Sequence, residues 1–567
     1  MTSEAMPAGT ATVNIAAAVE TLAATRGNDL AFRAFKAADS HPRGVTFGEL
    51  HDMIGRCAGG FAARGITRGS RVVVFTPMSV ELYVVLLALF RIGAVVVFID
   101  PWGGRKMIEA AANLVDADAF IGIPKAHMLR ATSPTIRKIG VQVVAGEGGP
   151  RRLALKLPRT ISLETLMDIH DGDRIDTAIE VTTADPALIT FTGGSTGIPK
   201  GADRTHGFLA AQHEVLTRNI QLSSDELFLT NLPIVVLHGL GRGVTTILPP
   251  PGMAQDPTID GAWLHGLIEQ QKVQVLALSP APVDSLARAL ARRPLELVRR
   301  VYTGGGPVLP ELLERVKPVL PNADMIAIYG STEAEPIAHA HGSDVLAKRA
   351  DLRAHGGIWV GREVPDTDVL LVRPTHDVIA VEDGATIADW AVADGTAGEV
   401  LVAGAHVNQA YYRNPGAFSE NKVRDEHGRV WHRTGDMARR DADGSLWLLG
   451  RLAGELRIGG RVMYPLEVET PMTDMPEIAM AALCQPRFEG AGREFKNAAA
   501  VIAVEPSPGY TRAQARDAAM ACIQRLGLVA HVEVRTLAKI PVDKRHGTKI
   551  DVEALRSKLK PRETSDY

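Results

Sequence analysis

Val72 to Phe75 is a run of apolar residues, Val80 to Arg91 is an apolar stretch long enough for three helical turns, and Ala94 to Ile99 is apolar again. Strands without polar alternation must be covered on both faces, so this strand–helix–strand unit, turning at Gly93, predicts a parallel sheet buried beneath helices. Glu81, Arg91 and Pro77 interrupt the stretch. A membrane span needs about 20 nearly uninterrupted apolar residues, so the segment reads as a folded core instead.

The same alternation recurs. Ala119 to Ile123, Gln142 to Ala145, Gln274 to Leu278 and Met325 to Tyr329 read as short buried strands, with helices over Gly261 to Gln270 and Leu309 to Val319. The predicted class is α/β with layered sheets. From about Val360 to Gly450 the text changes to short strands with Gly and Asp turns, which predicts a β-rich subdomain. The residues after Gly450 are enough for a small α/β domain of their own. A chain of 567 residues exceeds one hydrophobic core.

Composition narrows the partners. A net charge of −3 offers no electrostatic ground for nucleic acid. Cys57, Cys484 and Cys522 lack metal-ligand spacing and cannot form a disulfide framework, so they read as buried apolar residues in a reducing compartment. The first dozen residues are rich in Ala, Thr and Gly and carry no secretory signal. The expectation is a cytoplasmic protein with no membrane span.

Chemistry concentrates in Thr192-Gly193-Gly194-Ser195-Thr196-Gly197-Ile198-Pro199-Lys200-Gly201, which follows an apolar strand, Ala187 to Phe191. Glycines let backbone N–H groups approach an anion, hydroxyls add donors, and Lys200 adds positive charge. The loop is suited to phosphates; the bland alternative is a flexible surface turn. It is not a P-loop, because Gly201 stands where that motif needs a Mg²⁺-binding hydroxyl after the lysine.

The loop resembles that of the acyl-adenylate-forming superfamily of acyl-CoA ligases, peptide-synthetase adenylation domains and luciferases, departing only at Gly193. Further motifs come in that family's order. Tyr329-Gly330-Ser331-Thr332-Glu333 is similar to its Tyr-Gly-x-Thr-Glu, which implies phosphate contact at Thr332 and Mg²⁺ at Glu333. Gly304-Gly305-Gly306-Pro307 is similar to the adenine-side loop. His432-Arg433-Thr434-Gly435-Asp436 matches the stretch whose Asp holds the ribose, and Gly450-Arg451 the segment whose Arg reaches it. Alone, Asp436 would pass for a turn residue and Glu333 for a solvated charge.

The resemblance implies an N-terminal AMP-binding domain over 14–450 behind a disordered 1–13, a hinge at 451–454 and a small mobile α+β lid over 455–567. It implies two parallel-type sheets in the large domain, beside the β-rich subdomain. It also implies ATP and Mg²⁺, a carboxylic acid as substrate, and a lysine in the lid that bridges carboxylate and α-phosphate. A cation there stabilises charge as it develops. Lys549 fits, although Pro541 to Lys549 is two residues longer than the usual spacing, so Lys544 remains the alternative.

The step after adenylation stays open between two readings. Many thioester-forming members carry a His gating the acyl pocket, and His238 in Leu237-His238-Gly239 falls there; its alternative is a core histidine bonded to backbone. Transfer to CoA or an acyl-carrier thiol is the expected second step, since it covers the family at large, and β-lactone closure is the alternative. The Arg545-His546-Gly547-Thr548-Lys549-Ile550 ending, Phe120 to His127, Ser279 to Pro282 and Ala388-Asp389-Trp390 are reminiscent of the olefin-biosynthesis β-lactone synthetases. In that branch the substrate's own β-hydroxyl displaces AMP. Ala453 stands where the family's hinge often has Asp or Lys. A nucleotide-binding pseudoenzyme is a third possibility, opposed by intact Lys200, Thr332, Glu333 and Asp436. The segments Leu232 to Gly243 and Leu278 to Val283, polar only at His238 and Arg242 among their larger side chains, suggest a fatty or otherwise apolar acid.

Overall fold

The computed structural model describes residues 13–36, 41–100, 103–146, 157–192, 199–253, 258–289, 293–485, 500–543 and 547–559. Seven strands form the first sheet, in the spatial order Thr160–Ser162, Val141–Val144, Ala119–Gly122, Arg71–Phe75, Val95–Ile99, Pro186–Thr192 and Lys200–Thr205. All neighbours are parallel except the last pair. Val72 and Val74 enter one core and Val73 the other, so both faces of the strand are covered, which is why its residues are continuously apolar. The predicted helix runs Val80–Arg91, capped by the Ser79 hydroxyl, which accepts from Leu82 N. It is buried along its length down to Arg91, whose guanidinium reaches Glu20 at 3.3 Å. Gly93 makes the turn with φ +67°.

The second sheet has a parallel centre and an antiparallel flank. Strands Leu30–Ala34, Thr245–Leu248, Leu227–Thr230, Val275–Leu278, Arg300–Gly304 and Asp324–Ser331 run parallel to one another in that order, and Arg43–Thr46 pairs antiparallel with the first of them at the outer edge. Asp324–Ser331 then pairs antiparallel with Ala334–His341, and that strand with Ile358–Glu363. The short-stranded region expected as a β-rich subdomain is thus continuous with this sheet: Leu446–Arg451, Val430–Arg440, Gly398–Ala403 and Asp368–Val372 extend it.

Beyond Arg451 a hairpin, Leu456–Ile458 with Arg461–Met463, leads to the helix Pro465–Thr473 and a three-stranded sheet of Ile478–Cys484, Ala500–Pro506 and Val532–Thr536. Val468 and Met472 of the helix share one core with the hairpin and this sheet. The three cysteines are free and buried. No helix among the described residues is long and apolar enough to cross a membrane.

Candidate active site

The site lies where strand ends of both sheets meet. Thr192 closes its strand opposite Lys200, which opens the returning one, so the ladder sets the two ends of the Gly-rich loop side by side. Gly193, Gly194, Ser195, Thr196 and Gly197 lie outside the described residues. The Lys200 ammonium stands 3.4 Å from the Glu420 carboxylate, an exposed partner.

Tyr329, Gly330 and Ser331 end a strand of the second sheet, and Thr332 and Glu333 form the tight turn into Ala334–His341. Arg204, buried, donates to the Thr332 carbonyl at 2.5 Å and pins this turn to the first sheet. Gly305 takes φ +80° directly after the strand Arg300–Gly304, with open space where a side chain would stand. Pro307 comes two residues later in the chain, and Gly306 faces Pro280.

Asp436 and Arg451 are partners across an antiparallel ladder, and the guanidinium meets the carboxylate at 2.8 Å. The second carboxylate oxygen accepts the Tyr329 hydroxyl at 2.8 Å. Burial, with Asp436 beside it, holds the Tyr329 phenol protonated far above its ordinary range. Arg451 also donates to the Thr434 carbonyl at 2.9 Å. The carboxylate is thereby aimed from both sides.

Glu333 sits among residues that sequence reasoning did not single out. The Tyr411 hydroxyl donates to its Oε1 at 3.0 Å, and Asn408 N donates to its carbonyl at 2.7 Å. Lys422, 2% exposed, donates to the Asn408 carbonyl and lies 5.3 Å above the Tyr411 ring. Burial alone would raise the Glu333 carboxyl, but His432, Lys422 and the Tyr411 hydroxyl outweigh it and hold it below the carboxylate range. Burial pushes Lys422 down to about 7, against the pull of Glu333. Burial likewise pushes His432 down to about 3, with the Glu333 carboxylate pulling the other way. Nothing in the local text around Asn421-Lys422-Val423 marks the lysine, which reaches Glu333 only through the fold.

No group of three or more His, Cys, Asp or Glu side chains that could hold a metal occurs among the described residues. Glu333 is nonetheless suited to a cation that takes most of its ligands from phosphate and water, since Mg²⁺ commonly asks a protein for one or two carboxylates. It is held ionised, and one oxygen is already oriented by Tyr411.

The C-terminal unit reaches this site. Val542 and Ile550 form an antiparallel bridge, Asp543 N donates to the Lys549 carbonyl at 2.8 Å, and the Thr548 hydroxyl lies 2.5 Å from where a side chain on Gly306 would begin. A side chain at position 306 would crowd the Thr548 hydroxyl, so Lys549 is carried by a segment packed against the 304–307 loop. Lys544 lies outside the described residues. His238 lies on the buried helix Pro233–Gly241, with its Nδ1 3.1 Å from His213 Nδ1. Burial and the neighbouring His213 push it down to about 3, so the pair is neutral. A separate cavity of about 190 Å³, lined by Phe35, Met53, Val84, Leu163 and Leu248 among others, contains none of the predicted site residues.

The family model described as AMP-binding enzyme matches residues 19–412. A protein of Stenotrophomonas maltophilia named olefin beta-lactone synthetase is 30% identical over 96% of this chain and 97% of its own length. An indoleacetate–CoA ligase of Aromatoleum aromaticum is 29% identical over 78% of this chain and 80% of its own. Among solved structures, the anthranilate CoA ligase AuaEII in complex with anthranoyl-AMP is similar with a TM-score of 0.77 at 18% identity, over 98% of both chains, a likeness of fold alone.

Proposed function

Because the chain belongs to the AMP-binding enzyme family, an enzyme family of ligases and synthetases, we propose that it uses ATP to activate the carboxylate of an apolar β-hydroxy acid and then closes the acyl-adenylate on its own β-hydroxyl. In the first step a carboxylate oxygen attacks the α-phosphorus and pyrophosphate leaves. In the second the hydroxyl oxygen bonds to the carbonyl carbon, the carbon–oxygen bond to phosphate breaks, AMP departs and the hydroxyl proton passes to solvent. The product is a β-lactone.

The observation that carries the first step is the docking of Thr548 against Gly306, which supports Lys549 as the cation between carboxylate and α-phosphate. The 192–197 loop with Lys200 takes the phosphates, Thr332 adds a contact, and Asp436 with Arg451 holds the ribose. Gly305, Gly306 and Pro307 border the adenine, together with Tyr329, Gly330 and Ser331 at the end of the adjacent strand. Glu333 would hold Mg²⁺, which supplies charge neutralisation for the leaving pyrophosphate.

The second step rests on similarity to the Stenotrophomonas maltophilia relative along its whole length, the C-terminal unit included, whereas the indoleacetate ligase match spans 78% of the chain. Tethering the nucleophile supplies a high effective concentration, against which ring strain works. Transfer to CoA or a carrier thiol is the second reading, favoured by the ligase relative and by His238 as an acyl-pocket residue. The buried free cysteines support a cytoplasmic location.

Mass spectrometry decides between them. With ATP and Mg²⁺ but no CoA, a β-hydroxy fatty acid should yield AMP and a product lighter by one water. If β-hydroxy and unsubstituted acids both turn over only with CoA, to thioesters alone, lactone closure is excluded.

A further inference from the structure

A buried carboxylate fastens the C-terminal unit to the rest of the molecule. Asp474 caps the helix Pro465–Thr473, and its side chain is 1% exposed. Both its oxygens lie near the Arg349 Nε, at 2.8 and 3.0 Å, and the Arg353 guanidinium also bonds it. The two arginines come from one short helix, Arg349–His355, in the segment between the strands Ala334–His341 and Ile358–Glu363. Arg349 in turn bonds Glu314 at 2.5 Å and stands 3.6 Å from Glu311, so a second element is tied into the cluster. Burial and the adjacent Asp474 push the Glu311 carboxyl up.

The contact continues along the helix. Gly357 N lies 2.9 Å from both the Leu466 carbonyl and the Thr470 hydroxyl. A side chain at Gly356 would begin 2.2 Å from the Glu467 carbonyl, and φ there is +68°, so position 356 admits only glycine at this closeness. Tyr464, 2% exposed, packs into one cluster with Leu352, Met437, Trp447 and Leu449. The opposite side of the helix, Val468 and Met472, is built into the core of the three-stranded sheet, so helix and sheet move as one body.

A swing about 451–454 would pull Tyr464 from its cluster, break both bonds at Gly357 and strip Asp474 of two guanidiniums. Leaving one member of a buried ion pair uncompensated is strongly unfavourable. Acyl-CoA ligases, which this chain resembles, swing the small domain at this hinge to admit a thiol; a hydroxyl on the substrate needs no such entry. We propose that Arg349–Gly357 is a latch for the post-hinge unit, and that Asp474, Arg349 and Arg353 are specificity-determining residues that reserve the adenylate for an acceptor carried by the substrate. The proposal rests on lactone closure as the second step.

The test has a conformational arm and a chemical one. Val378→Cys and Val529→Cys replace side chains 55% and 51% exposed on either side of the hinge, and the native cysteines are buried, so dyes attach selectively. Single-molecule energy transfer in the doubly labelled chain should show one population with ATP and Mg²⁺. Asp474→Asn, or Arg353→Met should that variant fold poorly, should add a second population. In the chemical arm, decanoic acid, ATP and hydroxylamine are supplied. AMP release should rise on the order of tenfold in the variants, the scale on which coupling between separate elements shifts an equilibrium. Pyrophosphate exchange should persist, since none of the three residues touches the nucleotide site. Variants that match the parent in both arms overturn the latch, and a second population without faster release overturns its part in acceptor choice. Absence of pyrophosphate exchange with any acid in the parent chain instead removes the adenylation reading, while the energy-transfer result still decides the latch.

Discussion

The carboxylate of Asp436 is held on one side by Arg451 at 2.8 Å and on the other by the Tyr329 hydroxyl at 2.8 Å. Three segments distant in sequence therefore fix one acceptor group. Asp436→Ala should raise the KM for ATP in pyrophosphate exchange by about tenfold to a hundredfold, the range for losing a hydrogen bond to a charged group. Tyr329→Phe should do less, because it only aims the carboxylate. An unchanged KM in both would mean that Asp436 does not meet the nucleotide sugar.

Lys549 belongs to the segment docked on Gly306 through Thr548. Lys549→Ala should lower pyrophosphate exchange by on the order of a hundredfold or more, as losing one preorganised charge contact does. Full exchange in that variant would transfer the role to Lys544.

Glu333→Gln retains an acceptor for the Tyr411 hydroxyl and loses the charge. Half-saturating Mg²⁺ should shift upward in exchange assays. Lys422 is then buried without its counter-charge, and burial already depresses it to about 7. A base with a depressed folded pKa contributes stability at high pH that is lost as pH falls through that value. Melting temperature should thus stay near the parent's at pH 8.5 and drop below it at pH 6. A uniform drop with an unaltered Mg²⁺ titration would mark Glu333 as structural.

Glu469 lies buried in the C-terminal unit, accepting from Leu483 N at 2.8 Å, and burial pushes it up to about 7 from 4.5. The folded state therefore binds a proton that the unfolded state has released. Its stabilising contribution is complete below about pH 4.5 and is lost as pH rises through 7. Glu469→Gln should flatten the fall in melting temperature between pH 5 and pH 8. A parallel fall in parent and variant would assign the slope to other groups.

Much of the fold was legible because Val72 to Ile99 carries its environment in its spelling: residues apolar without alternation, ended by Gly93, have one stable solution. The antiparallel flank was legible as short strands but not as an extension of the second sheet, because the pairing of Ala338 with Glu363 depends on register between distant segments. Asp436, Glu333 and Lys200 were singled out through motif and order. Arg204, Tyr411 and Lys422 were not, since each acts through a partner remote in sequence, as Arg204 does on the Thr332 carbonyl. Arg349 and Arg353 stand in no motif, and only the fold brings Asp474 to them.

The strand Leu30–Ala34 pairs in parallel with Thr245–Leu248, a closure across roughly two hundred residues of chain, and non-local parallel pairing is a slow event in folding. During synthesis the same strand emerges long before that partner exists, with only its hairpin neighbour Arg43–Thr46 beside it. Phe32, fully buried in the finished molecule, is exposed throughout that interval. That pairing cannot form until both strands have been made, and crowding or heat before it does should cost yield before it costs activity.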